Sequence, residues 1–248
     1  MDRTVVVTGG GGGIGRAIAA RFAADGARVF ITGRTEDAVV RSAEALDASH
    51  PGEVLGVVCD STSPRDVALL ADEVDEHIDV LVNASGGLVA ADPSADPSED
   101  PLEELRDTWN AYVAQNVLGA VLTTAALRDL LGPRSSVISL GSIGAERRGG
   151  AYGAAKAALA AWSAGLSAEL GPSGVTVNVV SPGYIAGTDF FQGAMTEARH
   201  ELLVGETHDK RPGSPQDVAE LVFFLASPGA RHITGQTVHI NGGAFTTR

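Results

Sequence analysis

The sequence predicts an α/β fold, in which one doubly wound parallel sheet of about seven strands carries helices on both faces. Three observations support this prediction. Short β-branched segments alternate with helical patterns along the chain, as in parallel sheets. The first such unit is a strand, a glycine-rich turn and a helix. No shift in composition divides the 248 residues, so we expect one domain over residues 1–248.

The first unit begins with a strand at residues 5–7 and turns through the glycines at residues 9–13. The helix that follows carries apolar residues at Ile14, Ile18 and Phe22. Glycines let a backbone approach a pyrophosphate closely, and the free N–H groups of a helix N-terminus favour its negative charge. This setting predicts a dinucleotide site; the alternative is a flexible glycine loop.

The second predicted strand, residues 28–32, ends in Gly33 and Arg34. A site that prefers NAD usually has an acidic residue at this strand end, whereas an arginine accommodates the 2′-phosphate of NADP. The sequence therefore predicts NADP(H) in preference to NAD(H). The alternative is that Arg34 is a solvated loop residue.

Turn residues and helix-start residues place the other elements. They are a helix over residues 36–48, a strand over 54–59, a helix starting at Ser63-Pro64, a strand over 78–82, a long helix from Leu102, strands over 137–140 and 175–180, a helix starting at Ser214-Pro215 and a last strand over 237–240. In such a sheet, ligands bind at the carboxyl ends of the strands.

Residues 92–107 are strongly acidic and contain a single base, Arg106. A solvated loop that leads into a helix N-terminus explains this composition, since acids are favourable there. Because the segment follows a strand end on the ligand side of the sheet, an effect of its charge on substrate choice is the alternative.

The formal net charge of −13 argues against nucleic acid or an anionic membrane surface as a partner. The only cysteine, Cys59, excludes an internal disulfide and a cysteine-based zinc cluster, and we expect it to be a buried, inert thiol. No apolar run is long enough to span a bilayer, and no signal peptide precedes the first strand. We therefore expect a cytoplasmic protein without a metal.

Tyr152 and Lys156 are four residues apart at the start of an alanine-rich helix, on one helical face. A nearby ammonium favours the ionised form of a phenol, which would lower the pKa of Tyr152 and make it a usable general acid. Two solvated residues on a helix face are the alternative.

Taken together, these segments resemble the short-chain dehydrogenase/reductase family over nearly the whole chain, with the 3-oxoacyl-thioester reductases as the nearest members. The resemblance implies a Rossmann-type sheet. Residues 8–15 match the glycine motif of the family, and residues 83–86 match its motif after the fourth strand, except that Ala84-Ser85 replaces the middle pair. In the motif that begins at Pro182, the inserted Gly187 displaces Thr188 by one residue.

The family's cofactor-binding positions carry over residue by residue. The resemblance assigns to cofactor binding Thr8, Gly9, Gly13, Ile14, Gly15, Gly33, Arg34, Asp60, Ser61, Asn83, Ala84, Gly86, Tyr152, Lys156, Pro182, Gly183, Ile185 and Thr188.

The catalytic tetrad of the family maps onto Asn116, Ser142, Tyr152 and Lys156. The usual spacing from serine to tyrosine would instead select Ser139. We prefer Ser142, because it lies two places past the end of the predicted strand, on the ligand side.

The resemblance implies that the protein reduces a ketone, either a 3-oxoacyl thioester or a small cyclic or aryl ketone, to a secondary alcohol. Residues 186–212 would form a substrate lid. We expect a free ketone or a coenzyme A thioester rather than a carrier-bound one, because carrier proteins are acidic like residues 92–107, although Arg147 and Arg148 could offset this repulsion. A homotetramer is implied, with a homodimer as the alternative.

Two other functions stay open from the sequence. One is an NAD-dependent alcohol dehydrogenase of the same family, from which the cofactor preference set at Arg34 would distinguish the protein. The other is a sensor that binds NADP without turnover, against which the complete tetrad argues.

Overall fold

A computed structural model describes residues 3–89, 100–147 and 149–247, which contain one parallel sheet of seven strands. The strands are β1 (Thr4–Thr8), β2 (Arg28–Gly33), β3 (Val54–Val58), β4 (Ile78–Asn83), β5 (Leu131–Leu140), β6 (Thr176–Pro182) and β7 (Thr237–Ile240). The helices are α1 (Gly13–Ala24), α2 (Glu36–Asp47), α3 (Pro64–Val74), α4 (Pro101–Val113), α5 (Gly119–Ala126), α6 (Gly144–Arg147), α7 (Gly150–Leu170), α8 (Glu197–Glu206) and α9 (Pro215–Leu225).

The strand order is β3-β2-β1-β4-β5-β6-β7, and every neighbouring pair is parallel. The direction in which successive strands are added reverses between β1 and β4, the point at which doubly wound sheets bind ligands. The predicted fold class is confirmed.

Side chains of β1 alternate between two apolar cores, one on each face of the sheet. Val5 and Val7 pack in one core with Ile18 and Phe22 of α1, which are fully buried as their helical spacing predicts. Val6 points to the opposite face and packs in the second core. Burial on both faces explains why this strand is a continuous run of β-branched residues.

The two predicted helix starts are found where serine precedes proline. Ser63 Oγ accepts a hydrogen bond from Asp66 N at the start of α3. Ser214 and Asp217 form a reciprocal capping box at the start of α9. In both helices proline occupies the first position, where an N–H would have no partner within the helix.

The long helix predicted from Leu102 is interrupted. Between α4 and α5, residues Ala114–Leu118 form a π-helical turn. Such turns insert one extra residue into a helix and are frequent at functional sites. Asn116 lies in this turn and is buried.

The described part of the acidic segment is a solvated helix start. Asp100 accepts a hydrogen bond from Leu102 N as the N-cap of α4, and Glu103 and Glu104 are exposed in its first turn. The first part of the segment lies outside the described residues.

Exposed apolar side chains line the length of α4, among them Leu102, Leu105, Trp109 and Val113. The homotetramer expected from the resemblance stays a prediction. A search of the described residues finds no helix that combines the length and the apolar character needed to cross a membrane.

Candidate active site

A cavity of about 680 Å³ opens at the carboxyl ends of the strands, where the order of the sheet reverses. The predicted site residues that line it are Gly9, Gly13, Ile14, Gly15, Gly33, Arg34, Asp60, Ser61, Ala84, Gly86, Ser142, Tyr152, Lys156, Pro182, Gly183, Ile185 and Thr188. Residues from distant parts of the sequence thus meet in one place, as the parallel sheet requires.

The glycine loop between β1 and α1 tolerates few side chains. Gly9 has a φ of 68°, and a Cβ built on Gly15 would lie 2.2 Å from the carbonyl oxygen of Gly9. The loop leads directly into the N-terminus of α1, whose free N–H groups favour an anion. This arrangement leaves room for a pyrophosphate close to the backbone.

Arg34 lies on the cavity wall just past the end of β2 and is exposed. Its guanidinium makes no hydrogen bond or ion pair with any other residue that the structure describes. Gly33 is held close to α2, since a Cβ there would lie 2.8 Å from Val39 Cγ2. The backbone geometry at the end of β2 therefore presents one unpaired cation to the cavity.

Asp60 and Ser61 follow β3 on the same side of the sheet. Asp60 Oδ1 accepts hydrogen bonds from Thr62 N at 2.9 Å and from Thr62 Oγ1 at 2.8 Å. These bonds fix the orientation of the carboxylate at the cavity wall.

Cys59 precedes Asp60 and also contacts the cavity, but only 3% of its surface is exposed. Burial, with smaller contributions from Asp66 and Asp60, raises the pKa of its thiol to about 11. A protonated, buried thiol agrees with the expected inert side chain.

Thr8 and Asn83 do not line the cavity, and the expectation that they bind the cofactor stays a prediction. Thr8 Oγ1 accepts hydrogen bonds from Ala84 N and Ser85 N, both at 3.0 Å. Asn83 Nδ2 donates to Thr124 Oγ1 on α5 at 3.0 Å. Both side chains are buried at the carboxyl ends of β1 and β4, so they support the loop after β4 from behind.

Asn116 also acts on that loop from behind. Its Oδ1 accepts from Gly87 N at 2.9 Å, and its Nδ2 donates to Gly87 O at 3.0 Å. The side chain is not part of the cavity wall. The expectation that Asn116 holds a water in a proton relay stays a prediction.

Ser142 lies at the cavity, two residues past the end of β5, and its Oγ accepts from Gly144 N at 3.0 Å. Its side chain also interacts with Tyr152, and this interaction lowers the pKa of the phenol. Ser139 is fully buried inside β5 and lies outside the cavity wall. The geometry therefore favours Ser142 over Ser139 as the serine that a ligand would meet.

Burial shifts the pKa values of both Tyr152 and Lys156 away from their ordinary values in water. It raises the pKa of Tyr152 to about 12, although the hydrogen bond with Ser142 opposes the rise. It lowers the pKa of Lys156 to about 8. Lys156 Nζ donates to Leu140 O at 2.8 Å. The expected lowering of the Tyr152 pKa is therefore wrong for these side chains alone, because desolvation outweighs every favourable interaction.

The motif that begins at Pro182 forms the opposite wall. Gly183 N donates to Ile240 O at 3.0 Å, which ties this wall to β7. Thr188 lines the cavity despite the inserted Gly187, whose φ of 71° lets the chain turn there. Gly187 thus absorbs the extra residue without removing Thr188 from the site.

The predicted lid begins with a short turn, Asp189–Phe191, and continues into α8. The ring of Phe190 lies 5.7 Å from that of Tyr152. Gln192 Nε2 donates to Leu88 O at 3.1 Å, which joins the lid to the loop after β4.

Sequence reasoning missed several residues at this end of the site. They include Tyr112, whose ring is 6.2 Å from that of Tyr152, together with Tyr184, Gln192 and Asp189. Tyr112 lies on α4, whereas the other three lie in one stretch between β6 and α8, so only the fold brings the two segments together.

The residues present fit a dinucleotide with a 2′-phosphate. Gly9 and Gly15 lie so close to backbone atoms that neither leaves room for a Cβ, which keeps the turn before α1 tight, and the unpaired Arg34 offers a cation on the same cavity wall. In the described part of the chain, no group of three or more His, Cys, Asp or Glu residues is arranged to hold a metal ion.

Fold and site together define a dinucleotide-binding oxidoreductase, and comparison with known proteins agrees. Residues 9–245 match the family model described as Enoyl-(Acyl carrier protein) reductase. The 3-oxoacyl-(acyl-carrier-protein) reductase FabG of Escherichia coli is 34% identical, over 98% of this chain and 97% of its own length. The short-chain reductase protein NovJ of Streptomyces niveus is 33% identical, over 98% and 94% respectively.

Solved structures show the same similarity. A short-chain dehydrogenase from Burkholderia cenocepacia in complex with NADP has a TM-score of 0.83 and 34% identity, with 98% of this chain and 97% of that chain covered. The Pseudomonas aeruginosa RhlG/NADP complex has a TM-score of 0.84 and 30% identity, with 98% and 96% covered. The chain belongs to the short-chain dehydrogenase/reductase family, a family of NAD(P)-dependent oxidoreductases.

Proposed function

We propose that the protein uses NADPH to reduce a ketone to a secondary alcohol, with Tyr152 as the general acid. One observation carries this proposal: Ser142 and Tyr152 lie together at the wall of the cavity that the glycine loop and Arg34 also line, and their side chains interact. A carbonyl oxygen placed between the two hydroxyls would meet two hydrogen-bond donors.

The cofactor supplies a hydride when it is bound. The glycine loop and the N-terminus of α1 would hold its pyrophosphate, and Arg34 its 2′-phosphate. Lys156 would bind the nicotinamide ribose, and residues 182–188 would orient the nicotinamide. Neighbours whose structures contain NADP support NADP as the cofactor.

Ser142 polarises the carbonyl by donating a hydrogen bond to its oxygen. As negative charge develops on that oxygen, Tyr152 gives up its proton. A pKa of about 12 keeps Tyr152 protonated at neutral pH, so the donor is in the correct state before the reaction. Lys156 lies below, its Nζ 5.9 Å from the centre of the Tyr152 ring, where its charge favours the phenolate that forms.

The ketone is a 3-oxoacyl thioester or a small cyclic or aryl ketone. The name of the Escherichia coli relative supports the thioester. We propose a free ketone or a coenzyme A thioester rather than a carrier-bound one. Arg147 supports this choice, because its ion pair with Glu206, at 2.9 Å, engages a cation that would otherwise attract an acidic carrier protein. Comparable turnover of one acyl group on a carrier protein and on a short thiol would contradict it.

The test follows the absorbance of the nicotinamide at 340 nm, with NADPH and NADH in parallel against 3-oxoacyl thioesters, cyclic ketones and aryl ketones. We expect NADPH to be oxidised well ahead of NADH. Tyr152→Phe should abolish turnover and leave NADPH binding in place. Tyr184→Phe, which also removes a phenol hydroxyl from the cavity wall, should retain most of the activity.

Two outcomes would favour the other functions. Faster reaction with NAD and an alcohol than with NADPH and any ketone would indicate an NAD-dependent alcohol dehydrogenase. Tight NADPH binding without turnover of any ketone would indicate an NADP-binding sensor.

A further inference from the structure

Aromatic rings from three separate segments, α4, α7 and residues 184–191, meet at the Tyr152 end of the cavity. The chain has only three tyrosines, Tyr112, Tyr152 and Tyr184, and all three are in this group. The lid adds Phe190 and Phe191, whose rings are 5.0 Å apart. Adjacent rings meet edge to face, the arrangement that aromatic pairs favour.

The cavity wall around these rings carries few charged groups. Arg199 lies over the Phe191 ring, with its Cζ 4.7 Å from the ring centre, but it does not line the cavity. Among the charged residues of the described cavity wall, Arg34 and Asp60 follow β2 and β3. In the sheet, β1 and β4 separate these two strands from β5. Lys156 is buried and donates to Leu140 O, and Asp189 is an anion. This end of the cavity therefore suits an uncharged ligand better than one that carries a carboxylate or phosphates.

Phe190 occupies the central place in the group. Its ring lies 5.7 Å from that of Tyr152, and a Cβ built on Gly87 would lie 3.9 Å from its Cδ2 atom. The ring thus lies between the proton donor and the loop after β4. A group attached directly to a carbonyl at Tyr152 would contact this ring.

We propose that the substrate is an uncharged ketone with an aromatic ring attached to its carbonyl carbon, and that Phe190 is the residue that selects it. This inference rests on the proposed ketone reduction. An edge-to-face contact with Phe190 adds to the binding of an aromatic ring beyond the area that is buried, whereas a saturated ring of similar size gains only the burial.

The test compares an aryl methyl ketone with its ring-saturated counterpart, cyclohexyl methyl ketone, in wild type and in Phe190→Leu. The two ketones differ in intrinsic reactivity, so the quantity of interest is the ratio of their kcat/KM values and how the substitution changes it. We expect Phe190→Leu to lower the ratio of aryl to saturated ketone by about two- to tenfold. Phe190→Tyr should restore the ratio, and Phe224→Leu, an exposed position on α9, should leave it unchanged.

An equal loss for both ketones in Phe190→Leu would overturn the inference, because it would show that the ring only fills space. A 3-oxoacyl thioester with a kcat/KM higher than that of either ketone in wild type would also overturn it. If the proposed function itself is wrong, none of the ketones will support NADPH oxidation by the wild-type protein. That result is distinct from both outcomes above.

Discussion

Asn116 and Gly87 are joined by two hydrogen bonds, in which the carboxamide of Asn116 pairs with both the N–H and the carbonyl of Gly87. The carboxamide therefore pairs with the Gly87 backbone as one strand residue pairs with another, through one N–H and one carbonyl on each side. It anchors a cavity loop to the π-helical turn, which gives that irregular turn a structural reason.

Asn116→Ala should disturb the site more than an ordinary helix substitution does. It leaves a partly buried N–H and carbonyl without partners, so we expect the free energy of unfolding to fall by about 1–3 kcal/mol. The kcat/KM for the ketone should also fall about tenfold or more, because the loop that Asn116 anchors lines the cavity and a loss of about 1.4 kcal/mol corresponds to a factor of ten. Urea unfolding and steady-state kinetics check both. Asn110→Ala, exposed on α4, is the control, and equal effects of the two substitutions would contradict the prediction.

Thr8→Val should weaken the loop after β4 from the other side. The methyl group that replaces the hydroxyl cannot accept the hydrogen bonds from Ala84 N and Ser85 N. We expect a loss of about 1–3 kcal/mol in the free energy of unfolding for each N–H left without a partner, together with weaker NADPH binding in a fluorescence titration. Thr8→Ser keeps the acceptor. If Thr8→Ser loses as much as Thr8→Val, the hydroxyl is not the cause.

Lys156 should make the stability depend on pH. Its pKa falls from 10.5 to about 8 on folding, so between these values the unfolded state binds more protons. The stabilisation relative to Lys156→Met should therefore be lowest below pH 8 and rise towards pH 10.5, by at most about 1.4 kcal/mol per pH unit. Urea unfolding of both proteins from pH 7 to 10 measures the difference.

The raised pKa of Tyr152 acts in the opposite sense, but at higher pH. Its contribution is full below its ordinary pKa of 10 and is lost as the pH rises through about 12. Both proteins retain Tyr152, so the comparison below pH 10 isolates Lys156. A difference between them that does not vary with pH would show that Lys156 keeps its ordinary pKa.

Arg34→Ala should change the cofactor preference without changing the chemistry. A hydrogen bond between charged groups contributes about 1.5–3 kcal/mol, so kcat/KM for NADPH should fall about tenfold or more. The value for NADH should stay nearly unchanged, because NADH lacks the 2′-phosphate. Arg41→Ala is the matched control, since Arg41 lies on the neighbouring α2 and pairs with Asp37. Equal losses for NADPH and NADH would argue against contact with the phosphate.

Local patterns were enough to predict most of the fold. The Ser-Pro pairs fixed the starts of α3 and α9, and residues 237–240 were predicted as the last strand, as found. These features depend on capping and on alternation, which act over a few residues. The strand that precedes Ser142 was predicted too short: β5 begins at Leu131, because pairing with β4 extends it through polar residues.

The direction of buried polar side chains was less accessible to sequence reasoning. A motif assigns Thr8 and Asn83 to cofactor binding, but the pleat of the strands decides that their side chains lie behind the cavity wall. The pKa of Tyr152 depends on burial, which spacing on a helix does not reveal. The aromatic group around Phe190 depends on three segments that meet only in the folded structure.

The central position of β1 bears on how the chain folds during synthesis. β1 lies between β2 and β4, so one of its edges stays open until β4 has emerged, some way further along the chain. Each parallel pair also needs a crossover connection, so none of the pairs forms by a tight turn. Contacts between residues far apart in sequence slow folding. The five residues of β1, all buried in the finished sheet, therefore stay exposed in the growing chain until β4 has been made, and exposed apolar segments of this kind favour aggregation.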